Sequence, residues 1–93
     1  MQDVDVDVQL FAKAMELAKT GTMGIKIGER TPLAVIKALA DANPLLSSAI
    51  IRDDGTPRSS TKILIDGAAP PRLDQAFPDG ARVQVAIVTA CDG

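Results

Sequence analysis

With no histidine anywhere in its 93 residues, this sequence cannot raise a serine or cysteine to nucleophilic strength through an imidazole base. Few chemistry-bearing side chains remain. Cys91 is the single cysteine, so an internal disulfide is excluded. With an ordinary pKa near ~8.5 its thiol is partly ionised at neutral pH. Two readings stay open for it: a reactive thiol, or a cysteine at the edge of the fold with no role. Asp3, Asp5 and Asp7 recur at every second residue, which puts them on one face of a strand about 7 Å apart. That spacing reads as a solvated face opposing aggregation rather than a metal site. Thr22 to Gly28 holds two glycines and a lysine, but at the wrong spacing for a phosphate loop. Arg52, Arg58, Lys62, Arg72 and Arg82 fall in the second half of the chain and are expected near the tail, either to dock an acidic partner or as ordinary solvated charges. No catalytic residue, resident cofactor or metal is expected, and the chain reads as a non-enzyme.

The balance of charge narrows the partners. Ten basic against twelve acidic residues leave a net charge of −2, with no basic run interleaved by aromatics, so nucleic acid is not an expected ligand. No apolar run approaches the ~18 residues of a membrane span. The start, Met1-Gln2-Asp3-Val4-Asp5, is acidic and has neither the basic nor the apolar region of a secretory signal. A cytoplasmic protein, with no membrane partner, is therefore expected, in keeping with the lone cysteine. Apolar residues at 46% and charged residues at 24% are the proportions of a folding chain. The length suits one domain. With two phenylalanines and no tryptophan or tyrosine, its core must be aliphatic; Met15 and Met23 are expected to fill it.

The elements that hold these residues follow from periodicity. Val4, Val6, Val8 and Leu10 alternate with polar residues and predict a half-buried strand. Phe11 to Lys19 has helical composition, but Thr20-Gly21-Thr22 ends it after about two turns; helix and helical loop are equally open. Met23 to Ile27 alternates again and would pair with the first strand as a hairpin. Thr31-Pro32 opens a helix, with threonine as cap and proline at the first position. Leu33, Val35, Ile36, Leu39 and Ala40 form its apolar stripe, and Pro44 stops it at Ala42 or Asn43. Leu45 to Ile51 reads as an apolar connection with room for a short helical turn. Asp53 to Pro57 is a turn cluster, Lys62 to Asp66 a third strand, Ala68 to Pro71 a stiff loop, and Val83 to Val88 the last strand, with Val83, Val85 and Ile87 on one face. The pattern is α+β: a mixed sheet of four or five strands with one main helix across it. Residues 1–88 make the domain, and 89–93 a flexible tail.

Taken in order, Leu10-Phe11-Ala12, Thr31-Pro32-Leu33, Asn43-Pro44, Asp54-Gly55 through Arg58, Ile63-Leu64-Ile65-Asp66-Gly67 and Phe77-Pro78-Asp79-Gly80-Ala81-Arg82-Val83 resemble the MoaD/ThiS sulfur-carrier family. The resemblance spans nearly the whole chain and implies the ubiquitin-like β-grasp fold. It also implies a function as substrate rather than catalyst. In that family the C-terminal glycine is adenylated with ATP by a ubiquitin-activating-type adenylyltransferase, then thiocarboxylated to deliver sulfur to a biosynthetic enzyme. Carried onto this chain, Gly93 is the thiocarboxylate attachment point, Cys91 and Asp92 lie in the threading tail, and the tail reaches roughly 16 Å at ~3.3 Å per residue. Family tails end in Gly-Gly, which fits a narrow channel without clashes; here the penultimate residue is Asp92. A carboxylate about 5 Å from a phosphate charge, at an effective dielectric of about 20, costs about 3 kcal/mol. Asp92 thus favours an alternative: a β-grasp interaction module or accessory subunit of a multiprotein enzyme that has kept the fold and lost the carrier chemistry.

Overall fold

The alternation at the start of the chain becomes strand β1, Val4–Ala12. Val6, Val8 and Leu10 are buried on its inner face. The computed structural model describes residues 4–88. Strand β2, Thr22–Ile27, lies antiparallel to β1, with Val8 opposite Met23 and Val4 opposite Ile27. Between them the chain forms helix α1, Lys13–Ala18. The helical reading of this segment holds, but the strand runs two residues further than composition suggested, and the helix buries only Ala14. Met15 is 44% exposed, against the expectation of a core filler, because six residues give α1 a single face to bury. Met23 is half-buried against the core.

Helix α2, Pro32–Ala42, starts where the sequence placed it. The Thr31 hydroxyl accepts the Ala34 N–H at 3.2 Å, and Val35, Ile36, Leu39 and Ala40 are buried. The connection after it is a true helix, α3, Pro44–Ile50, which buries Leu46 and Ile50. Asn43 is the hinge of both: its N–H ends α2 on the Leu39 carbonyl, and its side-chain oxygen caps α3 by accepting from Leu45 and Leu46.

Strand β3, Thr61–Ile65, and strand β4, Val83–Ile87, complete a sheet of order β2-β1-β4-β3 among the described residues. β4 runs parallel to β1, with Leu10 opposite Val85, and antiparallel to β3, with Ile63 opposite Val85. Inner-face residues of all four strands pack on α2 and α3 in one aliphatic core, to which Phe77 is the aromatic contribution. The expected β-grasp architecture is therefore present: a mixed sheet with its main helix across one face. Between β3 and β4 the chain makes a tight Asp66-Gly67 turn with both residues at positive φ, 54° and 84°. This is the geometry of a two-residue hairpin loop, and Ile65 and Ala68 exchange backbone hydrogen bonds across it. The Asp66 carboxylate then accepts the Arg82 N–H at 2.9 Å, while the Asp66 N–H donates to the Arg82 carbonyl. One aspartate thus ties together the two ends of the segment that crosses from β3 to β4.

Candidate functional site

The expected site residues Cys91, Asp92 and Gly93 lie outside the described residues, as does Asp3. What the fold fixes is the place from which they depart. β4 is an interior strand with a neighbour on each side. Its run out of the sheet ends at Val88, whose N–H donates to the Ser60 carbonyl at 2.8 Å. Ile87, just before it, lies between Ala12 of β1 and Thr61 of β3. The exit is thereby held from both sides.

Beside that exit lies the outer face of the sheet. The period of two sends Asp5, Asp7, Gln9 and Phe11 outward from β1, and Gln84, Ala86 and Val88 outward along the last strand. At the far end from Val88 this face is charged, with Asp5 opposite Lys26. In the middle the Gln84 amide donates to Gln9 Oε1 at 3.1 Å. Toward the exit it turns apolar: Phe11 is 44% and Val88 47% exposed, and Phe11 lies opposite Ala86, while half-buried Leu64, opposite Gln84, borders this patch from the middle of the sheet. Lys62, opposite Ala86 on β3, is the cation at its rim. The sequence reading missed this patch, although one signal was present. Along β1 the outward positions run Asp, Asp, Gln and then Phe, a break in polarity where the strand approaches the exit.

The five basic residues do not gather there. Arg82 precedes β4 at its opposite end from the exit. Arg58 Nε donates to the Ser48 carbonyl at 2.8 Å beside α3. Arg72 forks onto Asp74, with contacts of 3.0 and 2.8 Å. Its guanidinium holds the Asp74 carboxyl below the usual aspartate range, chiefly through those hydrogen bonds. Asp54 is likewise lowered, first by the Thr56 hydroxyl, which donates to it at 2.6 Å, then by the Thr56 N–H. Both aspartates are exposed and shape their own turns. Asp5 and Asp7 lie opposite Lys26 and Gly24, and the described residues contain no group of three or more potential metal ligands. A shallow apolar cleft of about 220 Å³ lies at the end of the sheet away from Val88, between Ile65, Pro32, Phe77 and the prolines 70, 71 and 78. No ionisable side chain lines it. None of the helices in the described residues is long and apolar enough to cross a membrane.

No family model and no curated protein sequence matches the chain. Solved structures do. Small archaeal modifier protein 1 of H. volcanii is 27% identical, with a TM-score of 0.78 over 91% of this chain and 98% of its own. A second structure of that protein, SAMP1 from Haloferax volcanii, is 26% identical, with a TM-score of 0.75 over 97% and 99%. The corresponding protein of Methanosarcina acetivorans is 22% identical and superposes over 100% and 99% of the two chains with a TM-score of 0.79, a likeness of fold. The chain is a ubiquitin-like β-grasp protein whose structural neighbours are small archaeal modifier proteins, relatives of the MoaD/ThiS sulfur carriers.

Proposed function

We propose that this protein is a carrier in the ubiquitin-like sense, a substrate whose Gly93 carboxylate is activated by a partner. In the first step that carboxylate attacks ATP on a ubiquitin-activating-type adenylyltransferase, forming an acyl adenylate and releasing pyrophosphate. In the second, sulfide-level sulfur from a donor attacks the acyl carbon, the bond to the adenylate oxygen breaks and AMP leaves, and the resulting thiocarboxylate passes its sulfur to a biosynthetic enzyme. The observation that carries this reading is the juxtaposition at the end of β4. A strand clamped between two neighbours delivers the chain past an apolar patch of Phe11, Ala86 and Val88, bordered by Leu64. The patch offers the activating partner a surface, and the residues after Val88 are numerous enough to span roughly 16 Å at ~3.3 Å each. Likeness to proteins named as modifiers supports the same activated carboxylate.

A second reading is favoured by Asp92, whose charge opposes entry to a phosphate-bearing channel. In it the fold serves as an interaction module of a multiprotein enzyme, and the tail is never activated. Pyrophosphate release separates the two. Mixed with ATP and a matching adenylyltransferase, the carrier releases pyrophosphate in a reaction abolished by deleting Gly93. A module releases none above the partner's own background.

A further inference from the structure

β2 has β1 on one side and no strand on the other among the described residues. In an antiparallel pair, residues that exchange backbone hydrogen bonds alternate with residues that do not. Leu10 donates its N–H to the Gly21 carbonyl at 2.8 Å, which sets the phase. Stepping by two along the register, Met23, Ile25 and Ile27 turn their backbone groups toward β1. Thr22, Gly24 and Lys26 therefore turn theirs outward. Thr22 shows the consequence, because its N–H and carbonyl are both bonded to the Thr20 hydroxyl, at 3.4 and 3.1 Å. No backbone or side-chain partner meets the outward groups of Gly24 and Lys26 among the described residues.

Next to those two residues runs a groove of about 340 Å³ whose other wall is the end of α2, with Ala38, Asp41 and Ala42. The alanine methyls leave room for a chain to lie alongside. On the outer face, Asp7 borders the place that a side chain at position 24 would take, its Oδ1 3.4 Å from where a Cβ would stand. A strand laid against this edge would thus meet a carboxylate beside Gly24 and an ammonium at Lys26. Its intervening side chain would point to the core side, over Ala38 and Ala42.

We propose that β2 accepts an extended segment of a partner protein as an added antiparallel strand, with an acidic residue opposite Lys26, a branched aliphatic residue next, and a basic residue opposite Gly24. Main-chain bonds to Gly24 and Lys26 supply affinity, and the charge order supplies specificity. The segment thus reads Glu-Val-Lys in its own direction. This reading stands apart from the fate of Gly93.

The test uses the full chain, labelled with nitrogen-15, and a capped peptide Thr-Val-Thr-Glu-Val-Lys-Thr-Val-Thr. The largest amide shifts should fall on residues 24–26 and 38–42, and exchange of the Gly24 and Lys26 amides should slow by about tenfold or more at saturation. Ala42→Phe, at an exposed helix end, should fill the groove and abolish binding. Lys26→Glu should weaken it about tenfold, and a peptide with lysine in place of glutamate should restore it, a rescue that a folding defect would not give. The proposal is overturned if Lys-Val-Glu binds as well as Glu-Val-Lys, if the shifts fall on Phe11 and Ala86, or if millimolar peptide shifts nothing. It is also overturned if the free chain self-associates through the same amides, since the occupant is then a second copy.

Discussion

Ala12 stands where β1 gives way to α1, with φ 55° and ψ −132°, a conformation that glycine takes easily and alanine does not. It is exposed and makes no side-chain cap, so nothing offsets the strain except the surrounding backbone, including its pairing with Ile87 at the exit. Residues held in such regions cost about 1–3 kcal/mol, and a glycine returns part of that through greater freedom in the unfolded chain. Ala12→Gly should therefore raise unfolding free energy by about 1 kcal/mol in urea denaturation. A loss of stability would mean that the methyl group makes a contact the strain argument ignores. The residues that carried the family resemblance have local explanations of the same kind. Thr31 caps α2, Asn43 caps α3, and Asp66 clamps the crossing segment. They are legible because their types are dictated by backbone geometry, and for that reason they report the fold rather than the chemistry.

At the scale of elements, α2 was readable because cap, proline and apolar stripe all agreed, strands β1, β2 and β4 because alternation is a strong signal, and β3 as a short apolar run closed by Asp66-Gly67. Ile36 is 1% exposed at the centre of the α2 stripe. Ile36→Ala should cost about 2–4 kcal/mol as a buried cavity, measured by chemical denaturation. A cost below about 0.5 kcal/mol would mean that α2 does not face the sheet through this stripe. The short helices were harder. Pro44 both ends α2, by restricting Asn43, and starts α3 as a first-turn proline, and sequence periodicity over seven residues cannot tell a stop from a restart. Helix α1 is too short to form on propensity alone; its place is set by Ala14 packing into the core. Met15 was misplaced for the same reason, since its side of the helix depends on a tertiary contact that composition does not contain.

For the whole molecule, the sheet divides labour between its two faces and its edges. The inner face makes the core, and the outer face grades from the Asp5 and Lys26 pair to an apolar patch at the exit of β4. The parallel pairing of β1 with β4 brings Phe11 beside Ala86, a juxtaposition of residues distant in sequence that no local pattern reveals. The second-half cations divide on the same ground: Lys62 stands opposite Ala86 near the exit, whereas Arg82 precedes β4 at the end away from Val88. What remained legible was the resemblance and, with it, the ubiquitin-like β-grasp fold. The central proposal is that the Gly93 carboxylate reacts. Intact-protein mass spectrometry after incubation with ATP, a ubiquitin-activating-type adenylyltransferase and a sulfur donor reads it directly. The account predicts that the wild-type chain gains the mass difference of sulfur for one oxygen, that deletion of Gly93 abolishes the gain, and that Asp92→Gly accelerates it by removing a charge worth about 3 kcal/mol against nucleotide phosphates. A wild-type chain that gains nothing, beside an Asp92→Gly variant that does, would contradict it and leave an interaction module that has kept the fold without the chemistry.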